Sequence, residues 1–335
     1  MRNLLLAAVA GIWGTVATAE VPKVAVDILP VHAMAAKVMQ GLGEPTLVVR
    51  PGASPHGYAM RPSEARAVQE AQAVFFVSGN LTRWFERALA PLQAAGGRSV
   101  ELLESEGTTR LTFREETRFA GSSRNQDEHG HDEDHDDGHE EDQVDQHDDL
   151  AEDGGDDETH VHYGPDPHGW LDPENAKIWM AHMAETLAEM DPENADIYRS
   201  NAREGQGEID AAMARAQALL QPVHEAKFVV FHDAYQYFQN RFDLHAVGAI
   251  SSSDAEKPGP RRVAELREMV AEEEIVCVFA EPQFNHGLID TVFDGGGARV
   301  AQLDPLGVTL EAGPEMYPAL IDKLAQNIAV CLGGE

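Results

Sequence analysis

A chain of 335 residues with 43% hydrophobic side chains is long enough for about two domains and apolar enough to give each a core. Its net charge of −33, from 58 acidic against 25 basic residues, argues against nucleic acid as a partner, because phosphate binding needs Lys and Arg patches. That balance suits cationic ligands.

The chain opens on MRNLLLAAVAGIWGTVATAE. Arg2 supplies a positive start, Leu4 to Ala10 a short apolar run, and Ala17-Thr18-Ala19 a small-residue cleavage site, the pattern of a secretory signal peptide over residues 1–19. No later segment approaches the length of a transmembrane helix, so an exported, soluble mature protein is expected.

Strand-like and helical runs then alternate. Val24 to Ile28, Thr46 to Val49 and Val74 to Val77 are apolar and predicted as strands. Val31 to Leu42, Ser63 to Ala71 and Leu81 to Leu92 have helical spacing, with Ser63 an expected N-cap. Such alternation implies a parallel sheet covered on both faces.

A tract from Asp127 to His162 interrupts this pattern. It holds seven of the fifteen histidines (His129, His131, His135, His139, His147, His160 and His162), and its 18 acidic residues supply more than half of the net charge. A segment so poor in apolar residues cannot bury a core, and residues 122–163 are read as a disordered loop. Solvation needs no imidazole, so the histidines point to weak binding of divalent cations.

From Pro173 to Leu220 the pattern is helical, broken at Asp191-Pro192. Alternation resumes with strands at Phe228 to Phe231, Ala246 to Ile250, Ile275 to Ala280 and Arg299 to Leu303, and helices at Pro260 to Glu273 and Pro314 to Leu332. The predicted architecture is α/β: two parallel-sheet lobes joined by a long linking helix, with no internal sequence repeat. The expected boundaries are a lobe over 20–172, a helical segment over 173–221 and a second lobe over 222–335. Cys277 and Cys331 form an isolated pair in an exported chain, so a disulfide is the simplest state, with metal binding by the pair as the alternative.

Open parallel sheets bind ligands beyond the carboxyl ends of their strands. That rule selects His56 in PGASPHGY, His232 in FVVFHDAY, Glu281 in CVFAEPQF and Asp304 in AQLDPLG, with His168 in DPHGWLDP just after the tract. These side chains come from both lobes and are able to meet in the cleft between them. Each also has an ordinary reading, a hydrogen-bonded histidine or a carboxylate that caps a turn.

Together GASPHGYAMRPSE, DPHGWLDPENA, FVVFHDAYQYF, CVFAEPQF and LDPLG resemble the zinc-binding, periplasmic solute-binding subunits of zinc ABC transporters, the cluster A-I or high-affinity zinc uptake family. The resemblance runs from Val24 to the C-terminus. It implies two α/β lobes on a rigid linking helix, Zn(II) in the cleft, and capture of zinc for an inner-membrane permease and its ATPase. A periplasmic zinc metallochaperone is a further partner, and a monomer is expected. It places the three histidine ligands on His56, His168 and His232, and a disulfide on Cys277 and Cys331. Pro55 stands where some members carry a glutamate that completes the coordination, so the fourth ligand is water or another carboxylate; Asp304 is the expected protein ligand, because metal-binding relatives use an aspartate at the equivalent strand end, with Glu281 as the alternative. Three imidazoles and one oxygen suit tetrahedral zinc, whereas manganese prefers more carboxylates. The rival readings are a periplasmic metal buffer acting through the tract and a zinc hydrolase, the latter without an H-E-x-x-H motif; no enzymatic activity is expected.

Overall fold

The structure is a computed structural model that describes residues 21–114, 118–119, 164–251, 259–283 and 297–334. The expected signal peptide, the seven histidines of the acidic tract and His286 lie outside the described residues.

Two four-stranded parallel sheets carry the fold. The first contains β1 (Val24–Val26), β2 (Thr46–Leu47), β3 (Ala73–Phe76) and β4 (Arg98–Glu101) in the order β2-β1-β3-β4. The second contains β5 (Lys227–His232), β6 (His245–Ser251), β7 (Cys277–Ala280) and β8 (Arg299–Gln302) in the order β6-β5-β7-β8. Central strands of such sheets are covered on both faces, so they read as continuous apolar runs. AVFF of β3 and CVFA of β7 are buried throughout. Both sheets follow one plan, second-first-third-fourth, so the chain repeats a topology without repeating a sequence.

The helices are α1 (Leu29–Val38), α2 (Pro62–Glu70), α3 (Glu86–Ala94), α4 (Pro173–Met190), α5 (Ala195–Leu220), α6 (Gln236–Phe242), α7 (Pro260–Glu272) and α8 (Met316–Gly333). Several expectations needed correction. Ser63 is not the N-cap of α2: Arg61 holds that position, Pro62 is the first helical residue, and the Glu64 carboxylate accepts from the Arg61 N–H at 2.6 Å. The helix expected from Leu81 begins at Glu86. Strand β2 is regular only to Leu47, yet the N–H groups of Val48 and Val49 continue its ladder to the carbonyls of Val26 and Asp27.

Helix α5 spans 26 residues, about 39 Å at 1.5 Å per residue, and packs against α1, α4 and α8. It therefore touches elements of both lobes, and one apolar core runs from Val24 to Leu332. Lys37 of α1, only 2% exposed, reaches Glu208 and Glu204 of α5 at 2.6 and 3.3 Å and Glu315, just before α8, at 3.5 Å. Burial alone would push this ammonium's pKa down; the carboxylates carry it up.

Two glycines on α5 test this packing. A Cβ on Gly205 would meet the Sδ and methyl of Met180 and lie 2.9 Å from Cγ of Lys37, whereas one on Gly207 would meet nothing within 4 Å. Ala in a helix interior is worth about 1 kcal/mol over Gly when space allows. Gly207→Ala should raise the unfolding free energy measured in urea by up to that amount, and Gly205→Ala should lower it by roughly 1–3 kcal/mol through overpacking. Equal shifts of one sign would show that α1 and α4 do not press on α5 as described.

Strand order reverses between β1 and β3 and between β5 and β7, and ligands of open sheets gather at such switch points. At the first, Asp27 follows β1, fully buried, and its carboxylate accepts from Val77 N–H at 2.8 Å and Ile28 N–H at 2.7 Å. Burial pushes its pKa up to about 7 against these two bonds, which pull it down. Between the ordinary 3.8 and about 7 the folded state keeps a proton that the unfolded chain has released. Stability from this group thus falls as pH rises through that window, on the order of a few kcal/mol, and levels off above it. Urea titrations of the metal-free protein from pH 4 to 8 should show this slope, and Asp27→Asn should flatten it; an unchanged slope in the variant would refute the assignment.

Candidate metal centre

The second switch point carries a histidine. His232 is the last residue of β5, and Glu281 is the first residue past β7. Adjacent strands bring them together: Oε1 of Glu281 accepts from Nδ1 of His232 at 2.6 Å, with the side chains only 1% and 4% exposed. With Nδ1 engaged, the Nε2 lone pair of His232 points away from the sheet.

His168 arrives from the other lobe. It precedes a short 3-10 turn, Gly169–Leu171, that leads into α4. Gly169 is needed there, because a Cβ would lie 2.7 Å from Cδ1 of Leu103 and 3.3 Å from the Trp179 ring. Asp166, two residues earlier and fully buried, accepts from both the backbone N–H and Nδ1 of His168, at 2.9 and 2.7 Å. Burial pushes the Asp166 carboxyl up to about 7; the His168 N–H, Arg114 and His232 pull it down.

His56 lies on the loop after β2. The indole N–H of Trp84 donates to the carbonyl of Pro55 at 2.8 Å, and the Trp84 and Tyr58 rings pack 5.4 Å apart. Arg50 and Glu64 bind the Tyr58 hydroxyl from its other side at 2.9 and 2.8 Å. His56 is half-buried, while His168 and His232 are 2% and 3% exposed.

The three imidazoles converge. Nε2 of His168 stands 3.3 Å from Nε2 of His56 and 3.4 Å from Nε2 of His232. One ligand atom from each of the three residues falls within 4.8 Å of the others, and this is the one such cluster among the described residues. Four ligands at 2.0–2.1 Å around a tetrahedral ion lie roughly 3.3–3.4 Å apart. Two of the nitrogen separations match that value. The donor set is also right for a borderline cation: imidazoles whose other nitrogens, on His168 and His232, are held by carboxylates.

Asp304 lies outside this cluster. Its Oδ1 accepts from the N–H groups of Leu306 and Gly307 at 3.3 and 2.8 Å, and its Oδ2 from the N–H and hydroxyl of Thr309 at 3.1 and 3.2 Å. Asp304 thus ties the 304–309 turn together. Glu281, weighed from sequence as a fourth ligand, is bonded to His232. Asp166 was not selected from sequence, although D-P-H places a carboxylate two residues before a histidine, the spacing of a turn in which it bonds its own backbone.

Both lobes hold this cluster from behind. Arg241 of α6 makes two 2.8 Å bonds to Asp172, the N-cap of α4. Tyr237 donates to the carbonyl of Asp166 at 2.8 Å, and Trp170 donates to that of Pro305 at 2.8 Å. Arg114 forks onto Asp233, next to His232, and its guanidinium stacks 3.6 Å from the Phe119 ring centroid. The segments flanking the acidic tract also meet: Thr112 and Pro165 form an antiparallel bridge, and Asp166 N–H donates to the carbonyl of Leu111 at 2.7 Å.

A family profile described as "ZnuA: Zinc-uptake complex component A periplasmic" matches residues 24–331. The chain belongs to this periplasmic zinc-uptake component A family. Among relatives, it is 38% identical over 335 residues to the high-affinity zinc uptake system protein ZnuA of Brucella abortus (strain 2308), covering 99% of this chain and 98% of that protein. The protein of the same description from Paracoccus denitrificans (strain Pd 1222) is 38% identical over 334 residues, with coverage of 99% and 98%. A crystal structure of ZnuA shares the fold with a TM-score of 0.69 at 23% identity, over 93% of this chain and 99% of that one. The crystal structure of a 138–173 ZnuA deletion mutant with zinc bound gives 0.69 at 22% identity, over 92% and 97%. The expected two-lobed α/β architecture is therefore that of the zinc-uptake family. The paired cysteines are also joined as expected, Cys277 to Cys331. Among the described residues no helix is long and apolar enough to cross a membrane.

Proposed function

We propose that this protein captures Zn(II) in the periplasm and delivers it to an inner-membrane ABC permease and its ATPase. The observation that carries this reading is the convergence of three imidazole nitrogens, two of their separations matching tetrahedral spacing. His56, His168 and His232 are the zinc ligands through Nε2. Asp166 and Glu281 orient two of them by accepting from Nδ1. The fourth ligand is a solvent oxygen, since the Asp304 carboxylate accepts four hydrogen bonds within its own turn.

Zinc is cargo here, so the site must bind and also let go. His56, half-buried on a loop, is the least buried of the three, and it offers the side from which an ion enters and leaves. The acidic tract adds weak sites whose field raises the local cation concentration, an effect that salt weakens. A zinc hydrolase would need a free general base, and Glu281 is engaged with His232.

Competitive zinc titration against a chromogenic chelator tests the reading. Deleting 127–159 should remove weak sites and leave one tight site. Asp304→Asn should change the tight site by less than about tenfold, well below the cost of losing a ligand. Tight binding that vanishes with the tract would make the tract the principal site and the protein a metal buffer.

A further inference from the structure

We propose that Arg114 and Arg241 are positioning residues of the metal centre. Their forks onto Asp233 and Asp172 hold His168 and His232 as a built pair; zinc lands on that pair, and His56 closes on it last. The inference rests on the zinc-capture reading and adds an order of binding to it.

Both acids lie beside a ligand in the chain. Asp233 follows His232 directly, and Asp172 closes the 3-10 turn that His168 opens. Each is gripped from the other ligand's side. Arg114 belongs to the stretch that runs along the His168 segment, where Thr112 bridges Pro165 and the Leu111 carbonyl accepts from Asp166 N–H. Its Nε and Nη2 donate to the two oxygens of Asp233. Arg241 lies in α6, which begins just past His232, and its Nε and Nη2 donate to the two oxygens of Asp172. The two forks therefore join the same two segments in opposite directions.

A planar guanidinium on a carboxylate fixes direction as well as distance. Asp172 and Asp233 are buried, so salt screens these pairs little. Tyr237 ties the same segments a third time: its hydroxyl accepts from Leu111 N–H at 3.0 Å and donates to the Asp166 carbonyl at 2.8 Å. Between these ties Nε2 of His168 and Nε2 of His232 stand 3.4 Å apart. Two lone pairs aimed at one point repel, so such a pair needs a supporting frame. The His56 loop is tied elsewhere. Trp84 holds the Pro55 carbonyl, and Arg50 and Glu64 hold Tyr58, all of them close to the first sheet and outside both forks. Two ligands are thus set by the frame that joins the lobes, and the third by a loop whose movement leaves that frame intact.

Zinc association and dissociation rates, measured by stopped flow against a fluorescent chelator, test this order. Each fork is removed as a pair, Arg114→Gln with Asp233→Asn and Arg241→Gln with Asp172→Asn. No buried charge is then stranded, net charge and its pull on the cation are unchanged, and asparagine still caps α4. If the forks build the pair, fewer molecules are competent when zinc arrives, so the loss falls on association. Removing both forks should slow association by about tenfold and change dissociation by less than about twofold. Removing one should slow association by less than about threefold, because the other still joins the segments, and the combined loss should exceed the product of the single ones. Arg114→Lys with Arg241→Lys, which keeps the charges and loses the planar forks, should fall between wild type and the fourfold variant. It carries the test if the fourfold variant does not fold. His56→Ala should do the reverse, speeding dissociation by at least about tenfold with association little changed. In ¹⁵N spectra of the metal-free protein the His168 and His232 signals should broaden together when the forks are lost. Association unchanged without the forks would overturn the proposal, as would a loss confined to dissociation or a His56→Ala variant that associates as slowly as the forkless one. If His232→Ala abolishes tight zinc binding while the forks can be removed without kinetic effect, only this proposal falls. If His232→Ala binds zinc normally, the zinc-capture reading falls first.

Discussion

His168→Ala is expected to weaken zinc binding by roughly 100- to 1,000-fold. Four-ligand zinc sites are worth about 10–16 kcal/mol, so one ligand accounts for about a quarter of that. His168 should show the full effect because it is central: its Nε2 is the atom within 3.4 Å of both other Nε2 atoms. It is also 2% exposed, which leaves little room for a water to take its place. The substitution strands Asp166, a fully buried acid that would lose its Nδ1–H donor. That acid should then take up a proton more readily, so the variant's stability should fall at pH 8 more than at pH 5.5. Chelator competition at pH 7.5, with circular dichroism as a fold control, measures the first effect. A loss below tenfold would place the ion elsewhere. In the wild type, protons compete with zinc for the same nitrogens, so affinity should fall steeply below about pH 6.5. Tight binding retained at pH 5 would contradict an all-imidazole site.

Removing the disulfide has the second largest expected effect, on stability and not on zinc. Cys277 lies in β7, a neighbour of the strand that carries His232, and Cys331 lies in the last helix. The bridge closes a loop of 54 residues, for which chain entropy gives about 4 kcal/mol. Two serines in its place should lower the melting temperature by roughly 10 °C. Arg299 bonds the carbonyls of Cys331 and Leu332 at 2.7 and 3.3 Å and should keep α8 docked at 25 °C, where zinc affinity is expected within twofold of wild type. A shift below 2 °C would mean that these contacts already secure the C-terminus.

Apolar runs such as AVFF and FVVF announced the central strands, because a strand covered on both faces has to be apolar throughout. Edge strand β4, RSVE, was not legible: its residues are exposed or half-buried on both faces, so it carries no such run. Helix α6, QYFQNRF, is too short for a period to register, and it is held by burial of Tyr237, Phe238 and Phe242. His56 and His232 were visible as residues beyond strand ends, and His168 by its place between the tract and the helix at Pro173, before any resemblance was drawn. Their partners were less so. Glu281 reaches His232 from 49 positions away, and only the pairing of β5 with β7 makes them neighbours. The anchors Trp84, for the His56 loop, and Arg114, for Asp233, carry no local signal at all. They act through contacts that exist once the chain has folded.

The antiparallel clasp between Thr112 and Pro165 bears on how this gene can change. The cost of closing a chain between fixed ends grows only with the logarithm of its length, about 0.6 kcal/mol for each doubling. Once the two flanks are held together, insertions and deletions between them are nearly neutral for folding. His168 sits three residues beyond the clasp and is set in place by the paired flanks. The length and histidine content of the intervening stretch can thus change at little cost to the fold, while the cluster itself stays under a separate constraint.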